Sequence, residues 1–102
     1  MAVTGEPDGP PIRSGVATID FAGGLCSALG LMAALLRARA TGVGGDVDVS
    51  LFDTAISMLT HPATIHLHTG AEPPRLPGGS HPSVVPSQTF PTADGWLMVM
   101  CM

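Results

Sequence analysis

Between Val16 and Gly42 the chain reads VATIDFAGGLCSALGLMAALLRARATG, a long apolar stretch that ends in two arginines and a Thr-Gly stop. From Phe21 onward, Phe21, Leu25, Leu29, Met32, Leu35 and Leu36 recur at spacings of three and four, which marks one face of a 3.6-period helix. Ala22, Gly23, Gly24, Ser27, Ala28, Gly30, Ala33 and Ala34 fill the remaining surface, so other chain segments can approach closely on nearly every side. The pattern predicts a buried helix around which the rest is built. Arg37 and Arg39 suit the negative end of its dipole, and Gly42 can adopt the left-handed conformation that closes it. A single acidic residue, Asp20, stands at its mouth, where the unpaired N–H groups of a first turn favour negative charge. Two readings of Asp20 stay open on local sequence alone: a structural N-cap, for which Asp is a preferred residue, or a catalytic carboxylate.

The chain has 102 residues, enough for one domain with a modest core. Its charged fraction of 12% is about half that of an ordinary soluble domain, so much of its surface is apolar or it sits against more protein. Its four cationic residues are all arginines and form no basic patch for nucleic acid or an anionic membrane. Gly and Ser interruptions and terminal arginines argue against a membrane span, and the Pro- and Gly-rich start has no signal-peptide layout. Cys26 and Cys101 make no metal or redox spacing, which points to reduced thiols in a cytoplasmic protein.

Residues 1–15, MAVTGEPDGPPIRSG, read as an extended loop with a turn at Asp8-Gly9. Beyond Gly45, Val47, Val49 and Leu51 alternate with Asp46, Asp48 and Ser50, which predicts a short half-buried strand. Ser50 and Asp53 match a capping pattern and open a second helix carrying Phe52, Ile56, Leu59 and Ala63 on one side. Pro62 should kink or divide that helix, whose signal fades near Thr69-Gly70. Six prolines between Ala71 and Pro91 predict a long loop around Gly78-Gly79, and Thr92 to Gly95 turns into an apolar strand from Trp96 to Met102. The whole reads as α/β: a long buried helix, a short strand, a kinked helix, a Pro/Gly-rich loop and a terminal strand. The loop-like start and the uncapped last strand suggest a slice of a longer polypeptide.

The stretches GEPDGPPIRSGVATID and ALLRARATGVGGDVDVSLFDTAISML, the pair Thr69-Gly70 and the motif PTADGW at Pro91 to Trp96 resemble the central region of the class III CoA-transferases, the CaiB/BaiF family. The resemblance runs through nearly all of the chain with its motifs in the family's order. One departure is Val43-Gly44-Gly45, which stands where the family commonly has a basic residue, Gly and Gln. Full-length members form interlocked dimers, so the resemblance implies a homodimer, with acyl-CoA and a carboxylic acid as substrates and no permanently bound cofactor.

The resemblance also implies a role for Asp20, which matches the family's nucleophile. Its carboxylate would attack the thioester of an acyl-CoA and pass CoA on to an acceptor acid through covalent aspartyl intermediates. Gly78 and Gly79, within LPGGSHP, match the place of a glycine-rich loop that closes over the active-site carboxylate and shields the reactive anhydride from water. A plain Pro-Gly turn is the alternative reading there. His81 could contact CoA or the acceptor carboxylate, or simply be solvated. Racemases of the same family use a Glu shortly before the TADG-like motif. The best match to it here is Gln88, and an amide cannot serve as a proton-transferring base, which favours the transferase. A third reading is an inactive fragment.

Other constellations carry less. His61, His66 and His68 have no four-residue spacing on one helical face, so no zinc site is expected. Asp46, Asp48 and Ser50 lack the downstream Gly and Glu of a calcium loop. Gly42, Gly44 and Gly45 follow a helix and precede the predicted strand, the wrong order for a dinucleotide fingerprint. Met32, Met58, Met98, Met100 and Met102 are read as core packing.

Overall fold

A computed structural model describes residues 3–101. Among them are three α-helices, one 3-10 turn and a two-stranded antiparallel sheet, which makes the chain α/β. The chain divides into two units, one spanning Gly15–Thr64 and the other made of the described residues of Met1–Ser14 and Ile65–Met102.

The first unit is built on α1, Thr18–Thr41, closed as expected by Gly42 at φ 76 with its N–H on the Ala38 carbonyl. α1 is also long enough, and at a mean hydropathy of 1.8 over an 18-residue window apolar enough, to cross a membrane, a test that core helices of soluble proteins pass too. The helix starts earlier than its apolar periodicity implies, and Asp20 is not its cap. Ala17 holds that position, no side chain caps this end, and Asp20 is the third helical residue. The face covered within the unit is also different from the one predicted. Ile19, Ala22, Gly23, Ser27, Gly30, Ala34 and Ala38 are half-buried or buried, whereas Phe21 and Leu29 remain 72% and 67% exposed. The buried-helix expectation is thus corrected: the chain covers the stripe of small residues and leaves the large side chains uncovered.

The cover comes from the segment that returns after Gly42. The Arg37 guanidinium lies against Gly45, Val47 Cγ1 lies 2.6 Å from where a Cβ on Gly30 would stand, and Leu51 Cδ2 presses on Gly23. Gly23, Gly30 and Arg37 are seven residues apart and therefore share one stripe of the helix. The strand predicted over Asp46 to Leu51 is not formed. Val47 and Val49 are half-buried and Asp46, Asp48 and Ser50 exposed, so the alternation holds, but the segment packs on a helix and makes no sheet ladder.

Ser50 caps α2, Leu51–Met58, by accepting the Asp53 N–H at 3.1 Å. Here too the small residues Thr54 and Ala55 are covered, while Phe52 and Ile56 are exposed. The division expected at Pro62 falls upstream of it: α3 runs Thr60–Thr69 and Thr60 has φ 33. The proline ring at position 62 would collide with the carbonyl four residues earlier, that of Met58, where α2 ends. Pro62 itself lies in the first turn of α3, where its missing N–H costs nothing.

In the second unit the long loop is more ordered than its prolines suggest. A 3-10 turn occupies Pro77–Gly79, and β1, Ser87–Pro91, pairs antiparallel with β2, Trp96–Met100, from Ser87 opposite Met100 to Pro91 opposite Trp96. The prolines are tolerated because Pro86 precedes β1 and Pro91 ends it. The hairpin closes through the Thr92 N–H on the Gly95 carbonyl at 2.9 Å and the Thr92 hydroxyl on Asp94 at 3.0 Å. Met32, Met58, Met98 and Met100 are all exposed, which corrects their reading as core; Met102 lies outside the described residues.

Candidate functional site

Asp20 is presented by the first turn of α1. The chain enters through Val16, whose carbonyl accepts the Thr18 N–H, and the first helical bond runs from the Phe21 N–H to the Ala17 carbonyl at 3.0 Å. Starting the helix at Thr18 lets Ile19 extend the covered stripe and turns Asp20 outward. The Asp20 side chain is exposed and borders an open hollow of ≈ 680 Å³ lined by Val16, Ala17, Thr18, Phe21, Ala22, Leu25 and Met58. The lining surface is almost wholly apolar, so Asp20 borders the hollow and its carboxylate oxygens do not line it. With Ala17 as the cap residue, Asp20 is a carboxylate in the positive field of a helix start that does no capping there.

The other predicted site residues, Gly78, Gly79, His81 and Gln88, all lie in the second unit, and the structure brings them together around β1. The Thr89 hydroxyl donates to the Gly78 carbonyl at 2.9 Å. The Ser80 hydroxyl is shared between the Pro77 carbonyl at 2.5 Å and Gln88 Oε1 at 3.0 Å. The His81 N–H donates to the Ser87 carbonyl at 2.9 Å. Positions 78, 80 and 81 are thus stitched in turn to 89, 88 and 87.

Gly78 and Gly79 have φ of 61 and 65, which explains glycine at both positions. His81 Nδ1 accepts the backbone N–H groups of Ser83 and Val84 at 3.2 and 3.1 Å, so this nitrogen is committed to its own loop. Gln88 is half-buried, with its side-chain oxygen on Ser80. Sequence reasoning missed Glu6, whose carboxylate accepts the Gly78 N–H at 3.2 and 3.4 Å. No periodicity links positions 72 residues apart, so no local signal pointed to it. Among the described residues, no three His, Cys, Asp or Glu are grouped to share a metal ion.

Asp20, exposed at a helix start beside an apolar hollow, and the glycine turn fixed to a hairpin are thus each built within their own unit of an α/β chain. The chain belongs to CoA-transferase family III, whose family model matches residues 1–102. It is 39% identical over 99 residues to a succinate–glutarate CoA-transferase of Agrobacterium fabrum, covering 97% of this chain and 24% of that protein. It is 36% identical over 102 residues to an acetyl-CoA:oxalate CoA-transferase of Acetobacter aceti, covering 99% and 26%. A crystal structure of a CaiB/BaiF family protein from Brucella suis superimposes with a TM-score of 0.84 at 37% identity, covering 99% of this chain and 26% of that one. The chain therefore spans about a quarter of the length of these relatives.

Proposed function

We propose that the protein carrying this chain transfers coenzyme A from an acyl-CoA to a carboxylic acid, with Asp20 as the nucleophile. The observation that carries the reading is an exposed Asp20 in the first turn of α1, bordering an apolar hollow, in a chain matched throughout by the family. The Asp20 carboxylate attacks the thioester carbonyl, forming an acyl-aspartyl anhydride and expelling CoA thiolate. The thiolate then attacks the aspartyl carbonyl, releasing the donor acid and leaving an aspartyl-CoA thioester. The acceptor carboxylate repeats the sequence in reverse and leaves as its CoA thioester. A carboxylate nucleophile suits this exchange because the acyl and aspartyl groups stay in activated linkages, anhydride or thioester, at every stage. In this reading, backbone N–H groups at the start of α1 steady charge that develops at the attacked carbonyl.

The part proposed for Gly78 and Gly79 is to keep water from the acylated carboxylate. The named relatives act on succinate, glutarate, acetyl-CoA and oxalate, which supports short carboxylic acids as the substrate class. Like the family it resembles, the full-length protein is proposed to act as a homodimer. Gln88, an amide with its oxygen on Ser80, offers no proton-transferring base for racemisation.

In the full-length protein, Asp20→Asn is expected to lower transfer by about 10³-fold or more without loss of fold, as for removal of a covalent nucleophile. Mass spectrometry after hydroxylamine trapping should find an adduct at Asp20 only when acyl-CoA is present. Turnover without such an adduct rejects the covalent scheme.

A further inference from the structure

His81 is engaged through both its backbone and its ring. Its N–H donates to the Ser87 carbonyl at 2.9 Å, which closes the base of a loop that leads into β1. Inside that loop the N–H groups of Ser83 and Val84 converge on a single atom, His81 Nδ1, at 3.2 and 3.1 Å, and the Ser83 hydroxyl lies 3.4 Å from it. A backbone N–H can only donate, so Nδ1 is an acceptor and the neutral ring carries its proton on Nε2. The tautomer is thereby assigned.

The charged ring does not fit the same arrangement. A proton added to this neutral imidazole goes to Nδ1, the atom that two N–H groups already use, and turns an acceptor into a donor that faces other donors. Ser83 is exposed, so its N–H bonds to water once released. Ser87 is buried, and its carbonyl is held by the backbone of His81, not by the ring. Proton uptake therefore loosens the inside of the loop and leaves its base closed. Histidine changes charge between about pH 5 and about pH 8, so the loop is held at the upper end of that range and released as pH falls through it.

The elements bonded to this loop carry no ionisable side chain of their own: the 3-10 turn is Pro77–Gly79, β1 is Ser87–Pro91 and β2 is Trp96–Met100. The ionisable residues attached to them are Glu6, whose carboxylate accepts the Gly78 N–H, and Cys101, whose N–H donates to the Pro86 carbonyl. We propose that His81 is a proton-sensitive clasp: as the neutral Nε2–H tautomer it closes the loop over residues 82–86, and protonation at Nδ1 releases that loop without undoing the hairpin. The clasp lies within the second unit and does not depend on the role of Asp20.

The test uses the full-length protein and two readouts, the nitrogen NMR shifts of the His81 ring and the hydrogen exchange of the Ser83 and Val84 amides, taken as protection over the intrinsic rate at each pH. Protection is expected to fall by about tenfold from about pH 8 to about pH 5, the loss of the bonds to Nδ1. The neutral ring should show its proton on Nε2. His81→Ala should give the low protection at both ends of the range. His81→Asn, whose side-chain oxygen accepts nearby backbone N–H groups without taking up a proton, should keep the high protection at both. Glu6→Gln and Cys101→Ser should leave the parent's fall in place. Protection that is flat with pH in the parent, a neutral ring protonated on Nδ1, a fall that persists in His81→Asn, or one that vanishes in Glu6→Gln or Cys101→Ser overturns the proposal.

Discussion

Gly78 and Gly79 share a left-handed backbone but differ in what surrounds them, and this separates two costs that are usually confounded. At Gly79 nothing lies within 4 Å of an added Cβ, so Gly79→Ala should cost only the conformational strain, about 1 kcal/mol. At Gly78 the same strain is joined by collision with the Thr89 carbonyl oxygen, which is backbone and cannot swing aside. Gly78→Ala should therefore cost about 3 kcal/mol, read as the difference in urea midpoints between the two variants of the full-length protein. Asp20 teaches the complementary point about legibility. Its place beside the helix start was readable from the pattern around it, but its position in the first turn was not. Starting α1 at Thr18 adds the half-buried Ile19 to the covered stripe, which the periodicity of Phe21 and Leu25 does not contain.

At the scale of elements, α1 offers a second matched pair. Gly24 has nothing within 4 Å of an added Cβ, and Gly24→Ala should stabilise the 102-residue chain by about 0.5–1 kcal/mol through helix propensity. Gly30→Ala gains the same propensity but meets Val47 Cγ1 at 2.6 Å, and a β-branched side chain has little rotamer freedom with which to yield. The clash wins, and Gly30→Ala should be net destabilising when both are compared by thermal unfolding. Existence and type of the helices were legible because spacing, Ser50, Pro62 and Gly42 each act locally. The strand over Asp46 to Leu51 was not, because alternation in burial is the same whether the covering surface is a sheet neighbour or a helix lined with glycine. The hairpin lay half hidden for a different reason: Pro86 and Pro91 flank β1 without entering its interior, whereas a count of prolines treats the whole stretch as broken.

For the whole molecule, the deciding quantity is surface. The chain exposes 7906 Å², against about 5,400 Å² for a self-contained folded protein of its 10.4 kDa mass. Among the described residues no large apolar side chain is fully buried, and Phe21, Leu25, Leu29, Met32, Leu35 and Leu36 of α1 are all exposed. The low charge fraction had signalled this apolar surface, but not which face of α1 would carry it. Apolar surface on that scale drives association. The isolated 102-residue chain should run as an oligomer or aggregate in size-exclusion chromatography with light scattering, and Leu29→Glu with Leu36→Glu should shift it toward the monomer. A monodisperse monomer before substitution would contradict this expectation.

The seating of Val47 on Gly30 and of Leu51 on Gly23 carries a last consequence. The helix acts as a ruler for the connection that follows it: two turns of its pitch separate each notch, and the returning strip of chain must be cut to that length. Inserting or deleting one residue between Gly42 and Val47 would rotate Val47 away from its notch and bring a neighbouring residue over Gly30. Variation in this part of the chain should thus be tolerated in composition far more readily than in length.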